Sequence, residues 1–217
     1  MHDLTRGVAR FRRDVFPAKA RLFARLAGRH APEVLFIGCS DARVPPELIT
    51  QGEPGDLFVV RTAGNIVPAY APGADGVAAS IEYAVGVLGV TEVVVCGHSY
   101  CGAMTALAED RDLSGTPAVA DWLRHADAAR ARVATGAPEE AVDASAVRAP
   151  AVDALVRANV HAQLANLTTH PCVAGALSRG ALTLRGWVFD IATGTIDELP
   201  ANGPVAVPAP SPAALPA

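Results

Sequence analysis

Val34-Leu35-Phe36-Ile37-Gly38-Cys39-Ser40-Asp41-Ala42-Arg43 and Val93-Val94-Val95-Cys96-Gly97-His98-Ser99-Tyr100-Cys101 share one grammar: a short apolar run, then side chains able to do chemistry. Short apolar runs closed by turn residues read as buried strands. The same reading holds for Asp56-Leu57-Phe58-Val59-Val60-Arg61 and for Leu182-Thr183-Leu184-Arg185-Gly186-Trp187-Val188-Phe189-Asp190. Strands are thus expected over residues 34–38, 56–61, 92–96 and 182–190. Thr193-Gly194 then supplies a turn, and Thr195 to Leu199 returns as a hairpin partner. Helical spacing fills the gaps. Val77, Ile81, Ala84, Val85 and Leu88 mark a buried helix between Asp75 and Leu88, closed by Gly89. Further helices are expected from about Tyr100 to Ala108, across the alanine-rich residues 116–169, and over about 171–179. The alanine-rich stretch should break near Gly136-Ala137-Pro138 and at Pro150. Strands alternating with longer helices predict an α/β domain with a central, mostly parallel β-sheet flanked by helices.

Outside that core lie two appendages. Val8, Phe11, Val15 and Phe16, then Leu22, Phe23 and Leu26, predict two N-terminal helices separated by Pro17. Residues 200–217 are rich in Pro and Ala and are expected to be a disordered tail. The division is therefore a helical arm at 1–30, an α/β domain at 31–199 and a tail at 200–217.

The 217 residues suffice for one substantial core, and 51% apolar against 18% charged residues argues for a globular chain. A net charge of −4 and scattered arginines give no nucleic-acid footprint. No apolar run reaches the roughly 18 residues of a membrane span, and the N-terminus has no signal-peptide core, so a cytoplasmic location without membrane contact is expected. Of the four cysteines, Cys96 and Cys172 read as small buried hydrophobes.

The other two carry the chemistry. Ligands of open α/β sheets gather beyond the carboxyl ends of the strands. Cys39 and His98 both sit at such ends, and Cys101 follows three residues later, in the first turn of a helix whose amides favour a thiolate. Two thiolates and an imidazole suit zinc. Asp41 can complete the shell as a fourth ligand and close it. Arg43 can instead hold Asp41 by a bidentate ion pair. Water would then take the open position, and zinc lowers the pKa of such water from about 15.7 toward 7, which gives hydroxide at neutral pH. Asp41 would accept a hydrogen bond from that hydroxide and orient it.

Cys39-Ser40-Asp41-Ala42-Arg43-Val44 and Gly97-His98-Ser99-Tyr100-Cys101-Gly102 resemble the two zinc motifs of the beta-class carbonic anhydrases. The resemblance extends through residues 57–65, 80–85 and 186–190, over roughly 20–198. It implies Zn2+ on Cys39, His98 and Cys101, a catalytic pair Asp41 and Arg43, and reversible hydration of carbon dioxide to bicarbonate and a proton. It also implies a homodimer or larger homo-oligomer in which the arm at 1–30 packs on the partner subunit. Three departures stand out. His30 replaces a glutamine of the family's substrate pocket, to which Gly102 also belongs. A noncatalytic bicarbonate site built on tryptophan, arginine and tyrosine is expected to be absent, because the matching residues are Phe36, Arg61 and Phe189. Thr62 follows Arg61 where asparagine is common.

Two rivals fit the same residues. One is a carbonyl sulfide or carbon disulfide hydrolase using the same zinc chemistry on a sulfur analogue. The other is a non-catalytic zinc-binding regulatory protein, with Asp41 locked on the metal. His2, His125, His161 and His170 are read as exposed or helix-end residues, and Glu139-Glu140 as a helix first turn.

Overall fold

The computed structural model describes residues 3–73, 75–135 and 144–200, with the backbone alone for 144–150. His2, the turn at 136–138, Glu139-Glu140 and nearly all of the proposed tail lie outside the described residues.

Five strands form one sheet: β1 (Val34–Cys39), β2 (Leu57–Thr62), β3 (Glu92–His98), β4 (Thr183–Phe189) and β5 (Ile196–Leu199). Their spatial order is β2-β1-β3-β4-β5. The first four run parallel, and β5 returns antiparallel on β4 with Phe189 opposite Ile196. This is the mostly parallel, helix-flanked α/β sheet expected from the alternation of strands and helices. β3 is longer than expected and takes in His98.

Side chains alternate across the pleat. Leu35, Ile37, Val93 and Val95 enter one core with Val160, Leu164 and Val173, while Phe36, Val94 and Cys96 enter another with Trp187 and Phe189. Cys96 is thus the small buried hydrophobe expected, and burial pushes its thiol up to about 12.

The helices are α1 (Leu4–Arg10), α2 (Phe16–Leu26), α3 (Pro46–Thr50), α4 (Gly76–Glu82), α5 (Gly102–Ala108), α6 (Pro117–Leu123), α7 (Asp127–Ala134), α8 (Ala144–Thr168) and α9 (Pro171–Ser178). Two details correct the sequence reading, at Pro17 and Pro150, and one refines the helix expected to close at Gly89. Pro17 does not separate the arm's helices; it sits in the first turn of α2, where no amide is needed, and a π turn at Phe11–Val15 joins α1 to α2. A second π turn, Tyr83–Leu88, ends α4 before Gly89 reverses the chain in the left-handed conformation. Pro150 does not break α8, which runs on to Thr168. The buried face formed by Val152, Leu155, Val156, Val160 and Leu164 holds that helix in place after the loss of one hydrogen bond.

α8 lies close over β3. A methyl group added at Gly97 would stand 2.9 Å from Val160 Cγ2 and 3.0 Å from Val156 Cγ1. Glycine at that strand position lets the helix approach the sheet near the carboxyl ends of β1 and β3.

Candidate metal centre

Parallel pairing brings the chemistry together. Gly38 of β1 lies opposite Cys96 of β3, so Cys39 and His98 close neighbouring strands at the same edge. Cys101 arrives through a tight turn in which Tyr100 adopts a left-handed φ of 57°. The ligating atoms of Cys39, His98 and Cys101 all lie within 4.8 Å of one another. All three residues are buried, with His98 fully out of solvent.

The donor set fits a metal ion. His98 Nδ1 lies 2.8 Å from the Ser99 carbonyl oxygen, which fixes Nδ1 as the protonated nitrogen. That leaves the Nε2 lone pair free, and Nε2 is buried with no hydrogen-bond partner. An unsatisfied buried acceptor is costly unless something binds it. A backbone carbonyl behind a ligating imidazole is the usual support for a metal.

The two thiols divide their protons unequally. The hydrogen bond from the Cys101 thiol lowers Cys39 to about 4, against burial, with the amides of Asp41 and Gly64 helping. Cys101 is raised, first by that same bond to Cys39 and then by burial. Cys101 is the N-cap of α5 rather than a first-turn residue, and the amides of Met104 and Ala103 favour its thiolate. The shared hydrogen bond thus favours the thiolate on Cys39 and the thiol on Cys101.

Asp41 stands beside this group and is claimed by Arg43. The Arg43 backbone amide and Nε each donate to Asp41 Oδ1 at 2.9 Å, and Nη2 donates to Oδ2 at 2.7 Å. Nη2 also donates to the Tyr100 carbonyl at 3.1 Å, which ties the guanidinium to the turn between His98 and Cys101. These bonds hold the Asp41 carboxyl well below the usual carboxylate range. Its Oδ2 comes only to 3.9 Å from His98 Nε2, beyond hydrogen-bond reach.

The remaining residues singled out by sequence divide clearly. Gly102 opens α5 next to Cys101. His30 is exposed and lies obliquely against Phe58 and Tyr83, at 6.1 and 6.3 Å between ring centres, and is not one of the clustered ligands. Arg61 donates through Nε to the Cys39 carbonyl at 2.9 Å and through Nη2 to the Val44 carbonyl at 3.1 Å and to that of Asp41. It braces the turn that presents Asp41. His170 stands at a helix end as expected, capping α9, but it is buried rather than exposed, with Nε2 at 3.1 Å from the Pro68 oxygen and its ring edge-on to Tyr70. Its partners lie about a hundred residues upstream, beyond the reach of local pattern.

The loop after β2 matches the turn expected at Thr62-Ala63-Gly64-Asn65, with its backbone freedom at Gly64; what sequence reasoning missed is how that loop is held. Residues 63–65 form a 3-10 turn with Gly64 at φ 72°. A methyl group there would meet Ala103 Cβ at 2.9 Å and Met104 Cε at 3.2 Å, so only glycine fits between β2 and α5. Asn159 of α8 donates to the Gly64 carbonyl, while Gln163 accepts from the Val67 amide and Asn166 donates to the Val67 carbonyl just beyond the turn. Their i, i+4, i+7 spacing in an alanine-rich helix is a polar stripe visible in the sequence.

Comparison with known proteins agrees with this arrangement. The family model described as carbonic anhydrase matches residues 34–196. The chain belongs to the beta-class carbonic anhydrases. A carbonic anhydrase of Pseudomonas aeruginosa is 59% identical over 199 residues, 92% of this chain and 87% of the relative. The solved beta-carbonic anhydrase CcaA superposes with a TM-score of 0.83 at 40% identity, covering 90% of this chain and 92% of that one. One of two tetrameric beta-carbonic anhydrases from Sordaria macrospora superposes with a TM-score of 0.77 at 33% identity, over 90% and 94% of the two chains. Among the described residues no helix is long and apolar enough to cross a membrane. Membership of this enzyme family makes catalysis, rather than zinc-dependent regulation, the role of the chain.

Proposed function

We propose that the chain hydrates carbon dioxide reversibly to bicarbonate and a proton, at a zinc ion held by Cys39, His98 and Cys101. The reading rests chiefly on one observation: Asp41 is bound by Arg43 through three hydrogen bonds and stays outside the ligand cluster. Three protein ligands with the fourth place left open is the pattern of a catalytic rather than a structural zinc site. When bound, zinc supplies Lewis acidity that brings water to hydroxide near neutral pH.

The protein's own part is orientation. Arg43 occupies one side of the Asp41 carboxylate and keeps it ionised. An ionised carboxylate accepts a hydrogen bond and donates none, so Asp41 selects and aims a hydroxyl donor beside the open position. Asp41 is the least enclosed member of the group, with an 18% exposed side chain beside a fully buried His98. Access past one small side chain suits a substrate of carbon dioxide size. Four unpaired cysteines fit a reducing cytoplasm.

The assembly is part of the proposal. Leu4, Val8, Phe11, Val15 and Phe16 of the arm are exposed hydrophobics in helical register. Such a stripe seeks a partner, and a second copy of the chain is that partner in our reading, as a homodimer or a larger assembly. The arm at 1–30 and the catalytic domain at 31–199 divide the work accordingly.

Stopped-flow hydration of carbon dioxide by wild type and by Asp41→Asn tests the chemistry. Rapid hydration by wild type, with a variant that keeps its zinc and loses most of its rate, is the expected result. Equal and negligible rates in both, or sulfide release from carbonyl sulfide without hydration, would overturn the reading.

A further inference from the structure

The turn between His98 and Cys101 and the Asp41–Arg43 pair meet at one peptide carbonyl. Arg43 Nη2 carries two N–H groups and uses both: it donates to Asp41 Oδ2 at 2.7 Å and to the Tyr100 carbonyl at 3.1 Å. The Arg43 amide and Nε go back to Asp41, two residues away in the same turn. Among the described residues, the Tyr100 carbonyl is thus the one hydrogen-bond partner that ties this guanidinium to another part of the fold. The tie matters because the Arg43 side chain is half exposed, and an ion pair open to water holds its geometry weakly by charge alone.

Backbone conformation aims that carbonyl. Ser99, on one side, is fastened to the end of β4: its amide donates to the Phe189 carbonyl at 2.9 Å, and its Oγ accepts the Ile191 amide at 2.9 Å. Cys101, on the other side, is fastened into α5: its carbonyl accepts the Thr105 amide at 2.8 Å and Thr105 Oγ1 at 2.9 Å. The chain turns between these two fixed residues, and Tyr100 makes the turn at φ 57°. A residue with a side chain seldom takes that conformation. Packing does not impose it, because the Tyr100 side chain is 63% exposed. The peptide joining Tyr100 to Cys101 is planar, so leaving the left-handed region would swing its carbonyl as one rigid unit away from Arg43.

We infer that Tyr100 is a positioning residue of the Asp41–Arg43 pair: its left-handed backbone aims its carbonyl at Arg43, and this anchor keeps the guanidinium on Asp41 and the carboxylate off the metal's open position. The inference rests on the reading that Cys39, His98 and Cys101 hold a metal whose fourth place Asp41 leaves free. It assigns the work to the backbone and none to the phenol. Glycine, which takes the left-handed conformation freely, can therefore stand in for tyrosine. A β-branched residue, for which that conformation is a genuine outlier, cannot.

Azide binding to the cobalt(II)-loaded protein reads the open position directly, because a carboxylate on the metal competes with the added anion. The full chain, Tyr100→Gly and Tyr100→Val would each be freed of zinc, loaded with cobalt to equal content and titrated with azide by visible absorption. Wild type and Tyr100→Gly should bind azide alike, and Tyr100→Val about tenfold more weakly, the scale of one lost hydrogen bond to a charged group. A general loss of stability would not move this affinity at equal cobalt content. Unchanged azide affinity in Tyr100→Val, or the same loss in Tyr100→Gly as in Tyr100→Val, would overturn the inference while leaving the metal site standing. Failure of wild type to take up cobalt, or cobalt that binds no azide, would overturn the underlying reading of an open metal site. Should Tyr100→Val fail to fold, the equally branched but polar Tyr100→Thr takes its place with the same expected loss.

Discussion

Asp41 is the residue on which the proposed chemistry turns. Its carboxylate is set by Arg43 and by a turn that Arg61 braces, so replacing it with an isosteric amide removes charge without removing bulk. Asp41→Asn should lower the hydration rate by about 100-fold or more, the range of a positioned acid–base group, with zinc content unchanged by atomic absorption. The Asp41 pKa is depressed in the folded state, so its pairing with Arg43 stabilises the fold above the ordinary carboxylate pKa and fades only as pH falls below it. The thiols give a second prediction. Cys39, lowered to about 4, is already ionised at pH 8, whereas the raised Cys101 is not. Zinc binding at pH 8 should then expel one proton from the thiol pair rather than two, read by titration calorimetry in buffers of different ionisation enthalpy. Affinity should fall as pH falls. Arg61 supplies a third prediction. Its Nε and Nη2 are engaged by the carbonyls of Cys39, Asp41 and Val44, and Phe36 is buried against Trp187. We expect no inhibitory bicarbonate site: Arg61→Ala should be slower but show the same fractional inhibition across a bicarbonate series. Relief of strong inhibition in the variant would contradict this.

At the scale of elements, the sheet creates the site by register. β1 and β3 end together because they are parallel neighbours, and α8 reaches them because Gly97 has no side chain. Gly97→Ala should overpack this seam and cost about 1–3 kcal/mol in chemical denaturation, with the added methyl displacing Val160 or Val156. Strands were legible because their apolar runs are short and end in turn residues. Cys39, His98 and Cys101 were legible for the same reason, since ligand types at strand ends carry their own spacing. The support behind them was not. Trp122 and Asn159 meet residues 63 and 64 from 59 and 95 positions away, and no local period encodes such a pairing. Pro17 and Pro150 look like breaks in the sequence, yet packing and helix position absorb both.

The whole molecule presents its arm as an unfinished surface. Phe11, Phe16 and Phe23 pack on one another edge to face or tilted, but Phe11, Phe16 and the stripe running back to Leu4 remain exposed. Removing residues 1–26 should convert the assembly to monomers in analytical ultracentrifugation, while a truncated chain that keeps the full-length oligomeric state would refute the arm's proposed role. The exposed stripe is legible from its helical spacing; the partner proposed to cover it comes from the family resemblance. The central claim concerns one ion and one carboxylate. Anomalous diffraction at the zinc edge, from crystals of the zinc-loaded protein at neutral pH, tests it most directly. The account predicts one zinc per chain among Cys39 Sγ, His98 Nε2 and Cys101 Sγ, with Asp41 still paired to Arg43. An empty site, or zinc ligated by Asp41 with Arg43 turned away, would contradict it.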